Sequence, residues 1–166
     1  MKVLETDRLI LRWLTPDDAA FILELLNEPS WIRFIGDKGV RTLEDAKKYI
    51  VAGPMKMYSQ MGFGLFMVER KEGSIPIGMC GLIKRDTLDN VDLGFAFLSK
   101  YHNKGYGYES ASATLKYGHE QLALNRILAI TSLDNHASSR LLEKIGMDYE
   151  GTINMDTEEL KLFASK

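Results

Sequence analysis

The sequence predicts a mixed α/β (α+β) fold: a mostly antiparallel central sheet flanked by helices, with one parallel strand pair in its second half. Three segments of strand period follow one another between Gly64 and Leu98 with short joins, which makes them antiparallel neighbours. After Leu98 the pattern turns to helix, strand, helix, so the strands bracketing the first of those helices lie parallel. Strand–helix alternation is confined to this second half, and a doubly wound sheet is excluded.

The elements follow in order. Leu9 to Leu14 reads as a first strand. Thr15 and Pro16 supply an N-cap and a proline at the first helical position, opening a helix to about Asn27 with apolar residues at helical spacing. Glu28-Pro29 ends it, and Ser30 to Val40 reads as irregular. Thr42 to Asp45 resembles a capping box with a shortened acid and starts a helix to roughly Ser59, kinked or shortened by Gly53-Pro54. Gly64 to Arg70, Ile75 to Arg85 and Val91 to Leu98 are the three successive strands. Gly105 to about Leu122 is helical, Arg126 to Ser132 a strand, and Asn135 to Ile145 a second helix. Met147 to Asn154 and Glu158 to Ala164 close the chain as two strands. No repeat, low-complexity tract or linker divides the 166 residues, so residues 1–166 read as one domain.

Composition narrows the function classes. A hydrophobic fraction of 45% and a charged fraction of 27% are those of an ordinary globular chain. A net charge of -2 argues against a broad nucleic-acid surface, which carries a basic excess. No apolar run approaches the ~20 residues that cross a bilayer, and the charged start is not a signal peptide, so the expected location is the cytoplasm. Cys80 is the only cysteine and reads as a buried, inert thiol. None of the three histidines has a histidine or cysteine neighbour at zinc spacing, so no metal is expected.

The segment Leu93 to Ser110 is the most informative. A buried strand ends, a loop follows, and Gly105 and Gly107 open an amphipathic helix. Free amides at a helix start suit a phosphate, and glycine there leaves the backbone accessible. Taken alone, Gly-Tyr-Gly is equally a tight turn. The P-loop order Gly-Lys-Ser/Thr is missing, since Lys104 precedes Gly105. A dinucleotide fingerprint also fails, because no acid stands between Glu120 and Asp134.

His102 to Gly107 resembles motif A of the GNAT superfamily of N-acetyltransferases, Arg/Gln-x-x-Gly-x-Gly/Ala, with His102 departing at the first position. Asn135 to Met147 resembles its motif B, and Glu5 to Arg12, Gly78 to Ile83 and Leu93 to Phe95 resemble its strands. The likeness runs from about residue 5 to residue 162 and is nearest to the branch that acetylates N-terminal alanines of ribosomal proteins. It implies a splayed parallel strand pair holding acetyl-CoA as donor, a primary-amine acceptor such as a protein N-terminal α-amine, and direct transfer through a ternary complex.

The resemblance also implies roles. Backbone groups of Phe97, Leu98 and Ser99 pair with the pantetheine arm, the Leu98 amide facing the thioester oxygen. The pyrophosphate takes amides from Asn103, Lys104, Gly105, Tyr106, Gly107 and Tyr108, with the Lys104 side chain either adding charge or only solvated. Asn135 caps the second helix and contacts the pantetheine. The tyrosine acid common in the superfamily is replaced by Leu142, which makes Ser138 the substitute donor to the leaving thiolate or an ordinary helix-start serine. From the strand pattern, Asp92 shares a face with Gly94, Ala96 and Leu98 and is the candidate base, with Glu109 as a second carboxylate or a dipole complement. Trp31, Phe34, Tyr58 and Met61 are candidates to line the acceptor site, or are core. Two alternatives stay open: a non-catalytic acyl-CoA-binding regulatory module, and an acetyltransferase of a small-molecule amine or antibiotic. Oligomeric state is not legible.

Overall fold

The computed structural model describes residues 1–166. Its eight strands form one sheet: β1 (Lys2–Glu5), β2 (Leu9–Arg12), β3 (Leu65–Arg70), β4 (Ile75–Ile83), β5 (Asp92–Phe97), β6 (Leu128–Ser132), β7 (Asp148–Met155) and β8 (Glu158–Ala164). Their order is β1-β2-β3-β4-β5-β6-β8-β7, and every neighbouring pair is antiparallel except β5 and β6. The expected mixed sheet with a single parallel pair is therefore present.

Helices cover both faces. On one lie α1 (Ala19–Leu26), α2 (Pro29–Phe34) and α3 (Leu43–Ile50); a π turn at Val51–Met55 continues α3 into α4 (Lys56–Met61), whose buried Tyr58 joins the core cluster of the other face. On the other lie α5 (Tyr106–Glu120) and α6 (His136–Lys144). The alternation of β5 divides the core accordingly: Leu93, with Phe95 and Phe97 against it, packs with Ala111 and Leu142. Leu98 packs with Ile22, Trp31, Met67 and Met79. Period two along β5 thus sorts one set of side chains to α5 and α6 and the other to α1–α3.

Local chemistry explains most boundaries. Thr15 caps a turn at Pro16–Asp18, and the Asp18 side chain accepts from the Thr15 amide, a complete capping box ahead of α1. Thr42 caps α3, and the shorter Asp45 reaches the Arg41 amide instead of the cap residue itself. Two expectations need correction. Pro29 does not only end α1; at the first position of α2 its fixed φ and missing N–H favour a new helix, so Ser30 to Phe34 is helical. A further strand, β1, precedes the expected first one, pairing Glu5 with Ile10 across the turn at Thr6–Arg8.

Candidate active site

β5 and β6 touch only at their beginnings, Asp92 opposite Leu128, and then part. The parting is visible in β5 itself: Gly94, Phe95, Ala96 and Phe97 are only half-buried, although β5 is an interior strand. The far ends of the two strands are held apart by α2. At its start the Glu28 carboxylate accepts from the Ser99 amide at 2.9 Å, just beyond β5. At its end the Phe34 carbonyl accepts from Ser132 Oγ at 2.9 Å, the last residue of β6, and Arg33 pairs with Asp134 at 3.2 Å. From Glu28 to Phe34 the helix rises about 9 Å at ~1.5 Å per residue. Paired strands sit about 4.8 Å apart, so admitting one more extended chain needs about 9.6 Å. The rise of α2 thus matches the opening that one inserted strand needs in the wedge between β5 and β6.

The backbone of β5 is polarised towards that wedge in a fixed alternation. Leu98 N–H donates to Ile77 O at 3.0 Å across the β4 ladder, while Val91 O accepts from Leu128 N–H at 2.9 Å on the β6 side. Even-numbered residues of β5 therefore turn their backbone groups to β4, and Leu93, Phe95 and Phe97 turn theirs to the wedge. This corrects the oxyanion expectation: the Leu98 amide is engaged in the ladder, and the Ser99 amide is held by Glu28. Of the three residues named for the cofactor arm, Phe97 alone offers its amide to the wedge. The Phe97 carbonyl, on the same edge, is bonded by His102 Nε2 at 2.9 Å.

The loop from His102 to Gly105 turns through two left-handed residues, Asn103 at φ 60° and Gly105 at φ 84°, and delivers the first amides of α5. Gly105 is the N-cap and offers no side-chain cap, so those amides stay uncommitted. A Cβ on Gly107 would stand 3.2 Å from Leu141 Cδ2 and 3.8 Å from Phe97 Cε2, which shows how closely α5, α6 and β5 converge there. An open cleft of about 460 Å³ lies beside this helix start, between Thr6–Arg8 and Lys144. The Lys144 ammonium lies 4.6 Å from the centre of the Tyr108 ring, and the Lys104 side chain is exposed beside Gly105.

Glu109 is committed elsewhere. It accepts from Arg8 N at 2.9 Å, from Arg8 Nε at 2.7 Å, and from the Thr6 hydroxyl, fastening the β1–β2 turn to α5. Partial burial raises its pKa, but the hydrogen bonds from Thr6 and Arg8 outweigh that and hold the carboxyl below its ordinary value. It is a tie and not a base.

Asp92 stands at the closed end of the wedge, buried to 1% exposure. Its Oδ1 accepts from Arg85 Nε at 2.9 Å, and its Oδ2 has no partner. Burial pushes the carboxyl above its ordinary range, with Arg85 opposing the shift. Asn135 caps α6, its Oδ1 accepting from the Ser138 amide at 3.2 Å. Ser138 is half-buried, one turn before Leu141 on the side of α6 that meets the start of α5.

The four acceptor-site candidates separate. Trp31 and Phe34 lie on α2, across the wedge. Tyr58 lies away from it: its hydroxyl donates to Leu65 O and accepts from Leu14 N–H at 3.0 Å, and its ring stacks on Trp13 and Phe66. Met61 is exposed at the end of α4, leading into β3. The joined helix through Gly53-Pro54 carries both to the β2–β3 side of the sheet. Sequence reasoning placed Glu28 only at the end of the first helix, and no local pattern speaks for its bond to the Ser99 amide. It missed Arg85, which the hairpin from Ile75 to Leu98 could have shown, because closing that turn brings Arg85 back beside Asp92.

Comparison with known proteins agrees with this geometry. Residues 8–148 match the family model of the acetyltransferase (GNAT) domain. The chain is 31% identical over 153 residues to the uncharacterized N-acetyltransferase YoaA of Bacillus subtilis, covering 91% of this chain and 85% of that one. It is 29% identical over 96 residues to the [ribosomal protein uS5]-alanine N-acetyltransferase of Escherichia coli, covering 58% and 49%. The crystal structure of a GNAT-family acetyltransferase from Bacillus anthracis superposes with a TM-score of 0.81 at 30% identity, covering 99% and 97%.

Proposed function

The chain belongs to the GNAT acetyltransferase family and is an acetyl-CoA-dependent N-acetyltransferase; we propose that its preferred acceptor is the α-amine of a peptide N-terminus. The observation that carries this reading is the state of the one buried carboxylate at the wedge. Asp92 keeps a single free oxygen; burial raises the carboxyl's proton affinity, and the ion pair of its other oxygen with Arg85 opposes that rise. An α-ammonium has a pKa of ~7.7–8.0 and a lysine ammonium ~10.4, a gap of about 2.5 units or roughly 3 kcal/mol of extra deprotonation. With Arg85 limiting the base, the amine that needs less deprotonation is favoured. The uS5-alanine N-acetyltransferase named above, whose name gives an alanine of a ribosomal protein as its acceptor, supports the same class.

The residues divide the work as follows. The donor's pyrophosphate lies on the amides opening α5, between Asn103 and Tyr108, and the pantetheine arm enters the wedge as an added strand, meeting the edge of β5 at Phe97 and Asn135 at the start of α6. The half-exposed Phe95 and Phe97 rings flank it. Asp92 Oδ2 takes a proton from the acceptor ammonium through bridging water. The amine nitrogen then bonds the thioester carbonyl carbon, the C–S bond breaks as the nitrogen releases its second proton to solvent, and the sulfur takes a proton from solvent directly or from Ser138, whose hydroxyl solvent restores. The Phe97 amide, free on the wedge edge, replaces Leu98 as the donor to the carbonyl oxygen where charge develops. Trp31 and Phe34 wall the acceptor side.

Two peptides of one composition test the acceptor, one with a free N-terminus and a blocked lysine, the other with the reverse. A higher kcat/KM for the free N-terminus is expected. Preference for lysine, or rapid acetylation of a small amine with neither peptide turned over, would refute the assignment.

A further inference from the structure

The open cleft beside the start of α5 has about 460 Å³ and takes no part in acetyl transfer. It shares Gly105 and Tyr108 with the amides that hold the donor's pyrophosphate. In coenzyme A only a ribose separates the pyrophosphate from the 3′-phosphate. A pyrophosphate on those amides therefore brings the 3′-phosphate within reach of the cleft's walls.

Four charged side chains line the cleft: Asp7, Arg8, Glu109 and Lys144. Two of them answer each other, Arg8 Nε to Glu109 Oε1 at 2.7 Å, and Arg8 Nη1 is spent on the Lys104 carbonyl at 3.0 Å. Asp7, on the β1–β2 turn, and Lys144, on α6, have no ion-pair partner. Lys144 is the one cation of the cleft left for a ligand.

Packing sets its direction. Leu141, one turn earlier on α6, lies where a Cβ on Gly107 would meet it at 3.2 Å. From that contact Lys144 extends over the exposed Tyr108 ring, its ammonium 4.6 Å from the ring centre. A lysine in the last turn of α6 also complements the helix dipole, which accounts for a cation at this position. The Tyr108 ring accounts for where the cation points, towards the opening turn of α5.

We propose that the Lys144 ammonium recognises the 3′-phosphate of coenzyme A, with Asp7 keeping the phosphate to the Lys144 side of the cleft. The ligand class is a 3′-phosphorylated adenine nucleotide, selected over its dephosphorylated form. A phosphate monoester carries about 1.5–2 negative charges at pH 7, so a lone cation discriminates strongly between the two. This rests on the pyrophosphate lying at the start of α5.

Coenzyme A and dephospho-coenzyme A differ only in that phosphate and test the proposal by titration calorimetry, without turnover. Wild-type protein binds coenzyme A about fivefold more tightly, as for a solvent-exposed ion pair, and the ratio shrinks as salt rises. Both side chains are exposed, so substitution spares the core. Lys144→Met keeps the stem, removes the charge and brings the two affinities within twofold of each other by weakening coenzyme A alone. Asp7→Asn moves the ratio the other way, to about tenfold. A wild-type ratio near one, a ratio retained in Lys144→Met, or equal weakening of both ligands would overturn the assignment to Lys144. A lysine that serves only the helix dipole gives the second of these results together with a lowered Tm. An unmoved ratio in Asp7→Asn would overturn the role of Asp7. Failure of the pyrophosphate placement reads differently, since both ligands carry the pyrophosphate and Gly107→Val would then weaken neither.

Discussion

Gly107→Val separates donor binding from stability, and the structure sets both magnitudes. Gly107 is the second residue of α5, and an added Cβ would meet Leu141 Cδ2 at 3.2 Å. Leu141 is the flexible end of a side chain and can give by a few tenths of an ångström, so the overpacking cost belongs to the ordinary range of about 1–3 kcal/mol. Exchanging glycine for valine inside a helix returns a few tenths of that. The net loss of about 1–2 kcal/mol lowers Tm by roughly 3–6 °C in a domain of this size. The same isopropyl group covers the amides opening the helix. Each hydrogen bond to a charged group is worth about 1.5–3 kcal/mol, so losing one weakens coenzyme A binding by roughly ten- to a hundredfold and losing two by roughly a hundred- to ten-thousandfold. Titration calorimetry with coenzyme A, run beside a thermal melt, reads both. A folded variant with wild-type affinity would refute the placement of the pyrophosphate on this helix.

Three further outcomes follow from the site. A carboxyl whose folded pKa is raised by burial binds its proton more tightly in the native state, so Asp92 makes stability fall as pH rises from about 3.9 through the raised value. Asp92→Asn abolishes that slope and flattens the acid limb of the pH profile of kcat/KM; an unchanged profile would assign the limb to the acceptor's own ammonium. Ser138→Ala lowers the single-turnover rate only about two- to tenfold, because a thiol of pKa ~8.5 leaves tolerably unaided. A full rate would exclude its hydroxyl as proton donor. Tyr58→Phe leaves the buried Leu14 amide without its acceptor and costs about 1–3 kcal/mol by denaturation, with kcat/KM unchanged. A raised acceptor KM would return Tyr58 to the acceptor site.

The sequence made the glycine loop opening α5 and the strand faces legible because both are local. Gly105 and Gly107 at a strand–helix junction mark the loop, and period two along Asp92 to Leu98 correctly separates the α1–α3 face from the α5–α6 face. Backbone direction is different. Whether the Leu98 or the Phe97 amide reaches the wedge depends on ladder register, which one pairing, Leu98 to Ile77, decides and which no side-chain pattern encodes. The four candidates for the acceptor wall divide on the same principle. Trp31 and Phe34 are brought to the wedge by ties at Glu28–Ser99 and Phe34–Ser132, about 70 and 98 residues apart in sequence. Tyr58 has an aromatic ring like theirs, but its hydroxyl is spent between Leu14 and Leu65. Glu109 looked like a candidate base by its closeness to the loop. Its partners at Thr6 and Arg8 lie about a hundred residues away, so its structural role was hidden.

Amide hydrogen exchange at β5, measured residue by residue with and without saturating coenzyme A, tests most directly whether the wedge takes the pantetheine arm as an added strand. The Leu98 amide, already bonded to Ile77 O, should be protected in both states, whereas the Phe97 amide should exchange freely alone and be slowed at least tenfold when coenzyme A is bound. Equal exchange at Phe97 in the two states, with protection appearing only at the start of α5, would contradict it.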